Sequence, residues 1–423
     1  MNAHPILSQV ALGYSPMIDR QRAVIATRLT VFPERPDAVP DLAALLAALA
    51  EVWPTDTSAQ APKLSLNLRP LDPAAVKARA ASASLQPVSL NLAGEAMLLA
   101  MMGGHPPPHL MLEVPAFIAA DTRHAATLRA LQDGGSTLLI KGRPTAPLPA
   151  DILACFAHSV VDAADDRRTE PAPTGTRGIT TVQSGVRTLA GVSDAFQRGA
   201  IATLGWPIDD PVVKPAASQK VPQDVQVVLE LINGVDREEP VNKLEATLKK
   251  DPTLAFRLMR YLNSPAFGLS VEINSFGHAL MMLGHQRLKR WLALLLASSA
   301  KDANAKPLMF AAVRRGLLLE ELTRHHEDAE LRGEIFICGV FSLLDRLLKT
   351  PFADLLQSVP MPARVQQALL DNDGPFQPYL ELVQAIENES VIDIREWTEK
   401  LFMTPLEVNR ALLKALAAAR ALD

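Results

Sequence analysis

The residues best suited to hold a metal ion or to move a proton in this chain are its nine histidines and the carboxylates beside them. The run from His325 to Asp328 (HHED) combines residue types that bind transition metals. It follows an apolar helical run directly, and we interpret it as the polar end of that helix. His105 and His109 have i, i+4 spacing, but the prolines between them exclude the helix that would bring them together.

A second group with chemical potential is a short basic stretch, HQRLKRW, at residues 285–291. Its cations Arg287, Lys289 and Arg290 either face water beside core-facing apolar residues or form a docking surface for an acidic partner or a phosphate. The run DDRR at 165–168 reads as a solvated charge cluster. No GxGxxG, Walker A or GxSxG motif occurs in the sequence.

Overall charge argues against nucleic acid as the general partner. The formal net charge is −4, with 21% charged and 48% hydrophobic residues. Such a chain has enough apolar residues for two cores and no general attraction to polyanions or anionic membranes. The two cysteines lie far apart, the amino terminus lacks a signal-peptide pattern, and no apolar run is long enough for a membrane span. These features predict a cytoplasmic protein, and no motif in the sequence predicts a bound metal or cofactor.

The elements that must position any site differ between the two halves of the chain. Up to residue 208, strand and helix patterns alternate, which predicts a parallel sheet with crossover helices, open or closed into a barrel. The predicted strands are 22–32, 63–68, 88–92, 110–114, 137–140, 159–162, 179–182 and 200–204, and the predicted helices are 41–53, 94–102, 122–133 and 188–198. A proline-rich linker follows at 209–222.

From residue 223 to 423 nearly every segment has helical periodicity, which predicts an all-α domain. Its most clearly delimited helix begins near Asp251, which can cap it, and Pro252, which fits the first turn. Leu254, Leu258 and Leu262 recur on one face, and the run NSP at 263–265 ends the helix. Another predicted helix, 276–283, ends at a glycine before the next one begins at 286.

The stretch DPTLAFRLMRYLNSPAFGL, followed by INSFGHALMMLGHQRLKRWLAL, resembles the signature of the HDOD family. HDOD domains are relatives of the HD phosphohydrolases that serve as non-catalytic modules in bacterial signalling. Active HD enzymes use an adjacent His-Asp pair to bind metal, and no histidine here is followed by aspartate. The corresponding positions read VRR at 313–315 and GVFSLLD at 339–345, so the resemblance implies that the metal centre is absent.

The order of motifs in residues 1–208 resembles a shortened EAL domain, the barrel that hydrolyses cyclic di-GMP in bacteria. EAL–HDOD regulators are a known architecture, which strengthens both resemblances. The segments that carry the EAL resemblance are 14–19, 27–29, 89–92, 112–114, 138–142, 159–162, 182–184 and 202–208. The family's polar positions that remain are Asn91, Glu113 and Asp162.

Other positions depart from the EAL pattern. The leading glutamate is replaced by Thr27, the adjacent aspartates by Lys141 and a glycine, and the late glutamate by Gln183. The lysine of the IKID strand is Val160, and Val31 stands in place of the arginine that grips the dinucleotide. EAL chemistry needs two divalent cations held by carboxylates, so the resemblance implies a degenerate domain without catalysis.

The sequence therefore predicts a non-catalytic bacterial signalling regulator, with a degenerate EAL-like α/β barrel (1–208) and an all-helical HDOD domain (223–423). It is expected to act by binding other signalling proteins. Two alternatives stay open: a receptor that binds cyclic di-GMP without cleaving it, and a residual metal-dependent phosphohydrolase in the helical half.

Overall fold

Eight strands in the first half of the chain close into a barrel in the order β1 to β8. Strand β1 pairs antiparallel with β2 and β8, and the other neighbouring strands are parallel. The predicted TIM-barrel-like α/β fold is confirmed, although β1 was not among the predicted strands. The bounds are β1 Val10–Ile18, β2 Val24–Pro33, β3 Val88–Leu92, β4 Leu110–Pro115, β5 Thr137–Lys141, β6 Phe156–Asp162, β7 Thr180–Ser184 and β8 Ala202–Leu204.

The computed structural model describes residues 4–35, 37–53, 87–104, 106–107, 110–145, 147–165, 179–212, 223–248, 250, 276–297, 304–355 and 361–420. The predicted strand at 63–68, the helix beginning at Asp251, the turn after it, and both His105 and His109 lie outside these residues. Within them, no helix combines the length and apolarity that a membrane span requires.

Helices follow most of the barrel strands. Asp41 caps the first of them by accepting a hydrogen bond from the backbone N–H of Ala44 at 3.0 Å, as its side-chain type predicts. The helices of this part are α1 Leu42–Ala50, α2 Glu95–Gly103, α3 Ala116–Ala120, α4 Ala125–Asp133, α5 Ala150–Leu153 and α6 Leu189–Gln197, with 3₁₀ turns at Pro5–Ser8 and Thr122–His124.

The inside of the barrel is divided into an apolar and a polar layer. Side chains of a strand alternate between its two faces, so every second residue points inward. One end of the interior is filled by a buried apolar cluster that includes Met17, Ala26, Met111, Leu139 and Val160. The inward positions two residues further along β2, β4, β5 and β6 are polar. They are Arg28, Glu113, Lys141 and Asp162.

The rest of the described chain is helical, which confirms the predicted all-α region. Gly284 has a left-handed φ of 71° and divides α9 into two helices, as the sequence predicted. The helices are α7 Gln223–Asp236, α8 Val241–Leu248, α9 Phe276–Ala297, α10 Ala305–Leu322, α11 Ala329–Phe341, α12 Leu344–Leu348, α13 Phe352–Leu355, α14 Ala363–Gln366, α15 Gln377–Glu387, α16 Val391–Lys400 and α17 Pro405–Arg420.

Contacts divide the chain into two units that are not continuous in sequence. The barrel unit contains Met1–Asp210 together with Gln384–Ala417, and the helical unit contains Pro211–Val383 and Ala418–Asp423. The predicted boundaries instead place everything after residue 223 in one helical domain. We refer to Gln384–Ala417 as the C-terminal segment.

The C-terminal segment is joined to the barrel by buried polar contacts. The Asn409 amide accepts a hydrogen bond from the N–H of Leu12 at 3.1 Å and donates to the carbonyls of Leu7 and Val10 at 2.8 and 2.7 Å. Arg395 donates to the carbonyl of Glu34, beyond the end of β2. The bonds of Asn409 satisfy buried backbone groups of the barrel, whereas the bond of Arg395 to Glu34 is exposed.

Candidate functional site

The polar layer lies at the carboxyl ends of the parallel strands, where side chains of neighbouring strands come close together. In β-barrels of this kind, side chains at these strand ends form the functional site. Each participating side chain is fixed by strand register. Arg28 lies opposite Ser89, and Thr30 opposite Asn91. Glu113 follows on β4, so this set of side chains forms one continuous polar surface.

A buried ion pair forms the centre of this layer. Arg28 donates from Nε and Nη2 to the two carboxylate oxygens of Glu113, at 2.8 and 2.7 Å. The side chain of Glu113 has no exposed surface, and that of Arg28 is 11% exposed. Ser89 adds a third hydrogen bond to Glu113 at 2.9 Å. A bidentate pair of this kind satisfies both oxygens of the carboxylate.

The charges of this pair stabilise each other. Burial by itself would raise the pKa of Glu113, but the charge and hydrogen bonds of Arg28, together with Lys141 and Ser89, hold that pKa below its ordinary value. For Arg28, burial opposes the charged form, and the carboxylates of Glu113 and Glu389 outweigh it and raise the pKa. Both groups are therefore ionised at neutral pH.

Lys141 supplies a second cation next to this pair. Its Nζ donates to Oδ1 of Asn91 at 3.0 Å. Burial, and then the charge of Arg28, lower its pKa, while the carboxylates of Glu113 and Glu389 act against that shift. The ammonium group of Lys141 lies at the end of β5, near the carboxylate of Glu113.

The second carboxylate of the site comes from the C-terminal segment. Glu389 accepts from Ser15 at 2.8 Å, from Thr30 at 2.7 Å and from Nη1 of Arg28 at 3.1 Å. Arg28 thus bridges Glu113 and Glu389. Gly13 packs closely against the backbone of Glu389, because an added Cβ at Gly13 would lie 3.1 Å from the Glu389 Cα.

The residues present do not fit a divalent cation. Both oxygens of Glu113 accept from Arg28, and the amide oxygen of Asn91 accepts from Lys141. A metal would have to displace these donors and lie beside two positive charges, which is unfavourable at short range. In the parts of the chain that the structure describes, no group of three histidine, cysteine or carboxylate side chains could hold a metal ion.

The structure brings two of the three predicted remnant positions, Asn91 and Glu113, into one hydrogen-bonded network. Asp162 lies at the end of β6, where its oxygens accept from the N–H of Ala164 at 2.9 Å and from Ser184 at 3.4 Å. An added Cβ at Gly185 would lie 2.6 Å from that carboxylate, so this neighbour is restricted to glycine. The role of these three side chains as remnant positions stays a prediction.

Sequence reasoning did not identify Arg28, Ser15, Thr30 or Glu389. Positions 27–29 drew attention only as the place of a lost glutamate, although a charged residue on a buried strand is itself a signal. Arg28 is bonded to Glu389, which is 361 residues away in sequence. No local pattern could have paired them.

The basic stretch in the helical unit is engaged in ion pairs within that unit. Lys289 pairs with Asp236, and Arg290 pairs with Glu320. Arg290 also lies over the ring of Phe336, 4.0 Å from its centroid. The side chain of Arg287 is outside the described residues. Use of these three cations as an interaction surface stays a prediction.

The positions that the resemblance predicts to correspond to an HD metal site are 313–315 and 339–345, and this correspondence stays a prediction. Arg314 and Arg315 are buried in α10, and Arg315 donates to Ser342 at 2.9 Å. Burial raises the pKa of the neighbouring Cys338 thiol to about 12. The two adjacent histidines lie beyond the end of α10, where Nε2 of His326 is 3.5 Å from the hydroxyl of Tyr379.

Comparison with known proteins identifies the helical part. Residues 221–359 match the model of the HDOD domain, so the chain contains an HDOD domain. The uncharacterized protein YuxH of Bacillus subtilis is 28% identical over 232 residues, which are 53% of this chain and 55% of that protein. The cyclic di-GMP phosphodiesterase CdgJ of Vibrio cholerae is 27% identical over 173 residues, 41% of this chain and 40% of that protein.

The chain therefore spans about half the length of the curated relatives it matches. Among solved structures, the EAL domain of DcpA from Mycobacterium smegmatis has 18% sequence identity and a TM-score of 0.29, over 48% of this chain and 92% of that one. The predicted resemblance to EAL–HDOD signalling proteins is confirmed as a closed eight-stranded barrel together with an HDOD domain.

Proposed function

We propose that this protein is a non-catalytic regulator in bacterial cyclic di-GMP signalling and that it acts by binding other signalling proteins. The observation that carries the proposal is the pairing of Glu113 with Arg28 at the carboxyl end of the barrel, beside Lys141. Two resident cations stand where metal-dependent hydrolysis would need an open set of carboxylates. The relationship to CdgJ and the HDOD domain support the signalling context.

Metal-assisted hydrolysis of a phosphodiester requires a divalent cation that generates a hydroxide and stabilises the developing charge. Here the buried carboxylate is already neutralised by a bidentate arginine. Lys141 donates to Asn91 and so directs its positive charge to the same place. Protonated lysine and arginine cannot act as a general base.

A second candidate function is a receptor that binds cyclic di-GMP without cleaving it. The observation that favours it is the presence of two cationic side chains, Arg28 and Lys141, in one polar layer. Arginine and lysine are the residues that most often bind phosphate oxygens. In this function the HDOD domain would report the occupancy of the barrel.

The experiment that distinguishes these functions uses the purified full-length chain with cyclic di-GMP in the presence of Mg²⁺ or Mn²⁺. Calorimetry measures binding, and chromatography of the same samples measures hydrolysis, with CdgJ as the positive control. The proposed function predicts neither heat at micromolar ligand nor product. Heat without product would favour the receptor, and metal-dependent product would refute both proposals.

A further inference from the structure

The hydrogen bonds that the barrel donates to Glu389 resemble those of a binding site that holds a carboxylate ligand. Among the described residues, the donors to this carboxylate belong to the barrel strands, and they reach both of its oxygens. Ser15 on β1 donates to Oε1 at 2.8 Å, while Thr30 and Arg28 on β2 donate to Oε2 at 2.7 and 3.1 Å.

These donors are oriented by a directed chain of hydrogen bonds that begins at a cation. Lys141 donates to the amide oxygen of Asn91 at 3.0 Å, and the amide nitrogen of Asn91 donates to the hydroxyl of Thr30 at 3.1 Å. The Thr30 hydroxyl has one proton, and it donates that proton to Glu389. Each bond in such a chain polarises the next, so the charge of Lys141 strengthens the donor that meets the carboxylate.

The hydrogen-bonded network around Glu389 contains two cations and one other carboxylate. Arg28 and Lys141 contribute two positive charges, and the buried Glu113 neutralises one of them. The remaining charge is neutralised by Glu389, whose side chain is 16% exposed and so lies at the opening of the layer. Without Glu389, Nη1 of Arg28 would lose its charged partner in a largely buried position, which costs free energy, because the other carboxylate of the layer, Asp162, is exposed and lies outside this network.

Glu389 is held at the site by an unusual turn. Ser390 N–H bonds to the carbonyl of Ala385 at 3.1 Å, and Glu389 N–H bonds to that of Ile386 at 3.2 Å, which together form a Schellman motif at the end of α15. Its left-handed position usually carries glycine, but here Glu389 has a φ of 53°. The turn therefore bears a backbone cost and in return presents a carboxylate to the barrel.

We propose that the barrel mouth is a carboxylate-binding site whose resident occupant is Glu389, and that the C-terminal segment competes there with an aspartate or glutamate side chain of a partner protein. The inference rests on the proposed function, because it supplies the surface through which a non-catalytic regulator would bind its partner. A carboxylate is favoured because the three donors reach two oxygens of a single group and one of these donors is the charged Arg28. A phosphodiester, the other monoanion of this kind, is an outcome of the test.

The test is chemical rescue of a variant of the full-length chain. Glu389→Gly removes the carboxylate and relieves the left-handed backbone, so the site is emptied without adding strain. We expect formate and acetate to raise the melting temperature of this variant on the order of a few degrees above sodium chloride of equal ionic strength. The unchanged protein, in which the site is filled, should show no such difference.

Three further measurements decide the assignment. Glu396→Ala removes an exposed carboxylate of the same segment, which pairs with Lys400, and should behave like the unchanged protein. Adding Ser15→Ala and Thr30→Val to Glu389→Gly should abolish the effect of formate. Phosphate, methyl phosphate and cyclic di-GMP are tested on Glu389→Gly in the same way.

Equal stabilisation by formate and chloride, or a formate effect that survives loss of the two hydroxyls, would overturn the site. A larger effect of the phosphate esters than of formate would overturn the assignment to carboxylates. If Glu389→Gly folds only in formate, the proposal is supported, and failure to fold in either salt counts against it. None of these readouts involves turnover of cyclic di-GMP, so they fail independently of the proposed function.

Discussion

Removing one partner of the buried Arg28–Glu113 pair should be far more destabilising than removing both. The substitution Arg28→Met keeps the length and apolar stem of the side chain but takes away both hydrogen bonds to Glu113. The carboxylate then has Ser89 as its remaining hydrogen-bond donor and no exposed surface. The double substitution Arg28→Met with Glu113→Leu removes the stranded charge as well.

The magnitude follows from the burial of the pair. Breaking a buried ion pair on one side costs about 3–5 kcal/mol, a large fraction of the roughly 5–15 kcal/mol that holds a typical domain together. Replacing both partners with apolar residues is often close to neutral. Arg28 also binds Glu389, but that carboxylate is partly exposed and can be hydrated. We therefore expect the double variant to be at least about 2 kcal/mol more stable than Arg28→Met.

Hydrogen exchange followed by mass spectrometry is the suitable assay, because it reports the stability of each of the two units separately. Peptides that cover β3 and β4 report the opening free energy of the barrel, and peptides from α10 in the helical unit serve as the internal control. A loss below about 1 kcal/mol in Arg28→Met would refute the desolvation argument. So would a double variant that loses as much as the two single variants together.

Three more outcomes are expected. The folded-state pKa of Glu113 lies below its unfolded value of about 4.3, so its contribution to stability should be present at neutral pH and be lost as the pH falls below that value. Hydrogen exchange of barrel peptides, measured as a function of pH, tests this loss. Glu113→Gln should remove the pH dependence. Gly205→Ala should destabilise the barrel strongly, because the residue has a φ of 132° and an added Cβ would lie 2.3 Å from the carbonyl oxygen of Val186. As a control, Gly103→Ala should leave the melting temperature nearly unchanged, because an added Cβ there meets no atom within 4 Å. Asn409→Ala should strand three buried backbone groups near β1, at about 1–3 kcal/mol each, and speed their hydrogen exchange.

Local patterns predicted most of the barrel but not its first strand. The alternating run VSLNL at Val88–Leu92 was predicted as a strand with those bounds, because period-2 alternation is a strong signal over five residues. Strand β1 contains Gly13 and Pro16, which argue against a strand in an isolated sequence. In the barrel, the carbonyl of Pro16 accepts from Gly205, and Gly13 allows the close approach of the C-terminal segment.

Only those site residues that lie in recognisable local sequence patterns could be predicted from the sequence. Lys141, Asn91 and Glu113 could be singled out by resemblance, since each lies at the end of a recognisable strand. Glu389 could not, because its partners are fixed by the return of the chain after the helical unit. One clue was available: no glycine follows the helical pattern of residues 379–388, where a helix end normally carries one.

The barrel unit is built from two separate parts of the sequence, and this affects the order in which its residues are synthesised. Residues 211–383 must be translated before the segment that carries Asn409 and Glu389 leaves the ribosome. At 5–20 residues per second, the interval between residues 210 and 417 is on the order of 10–40 s. Arg28 and Lys141 are therefore translated well before Glu389, so the site that contains them can be completed only late in translation.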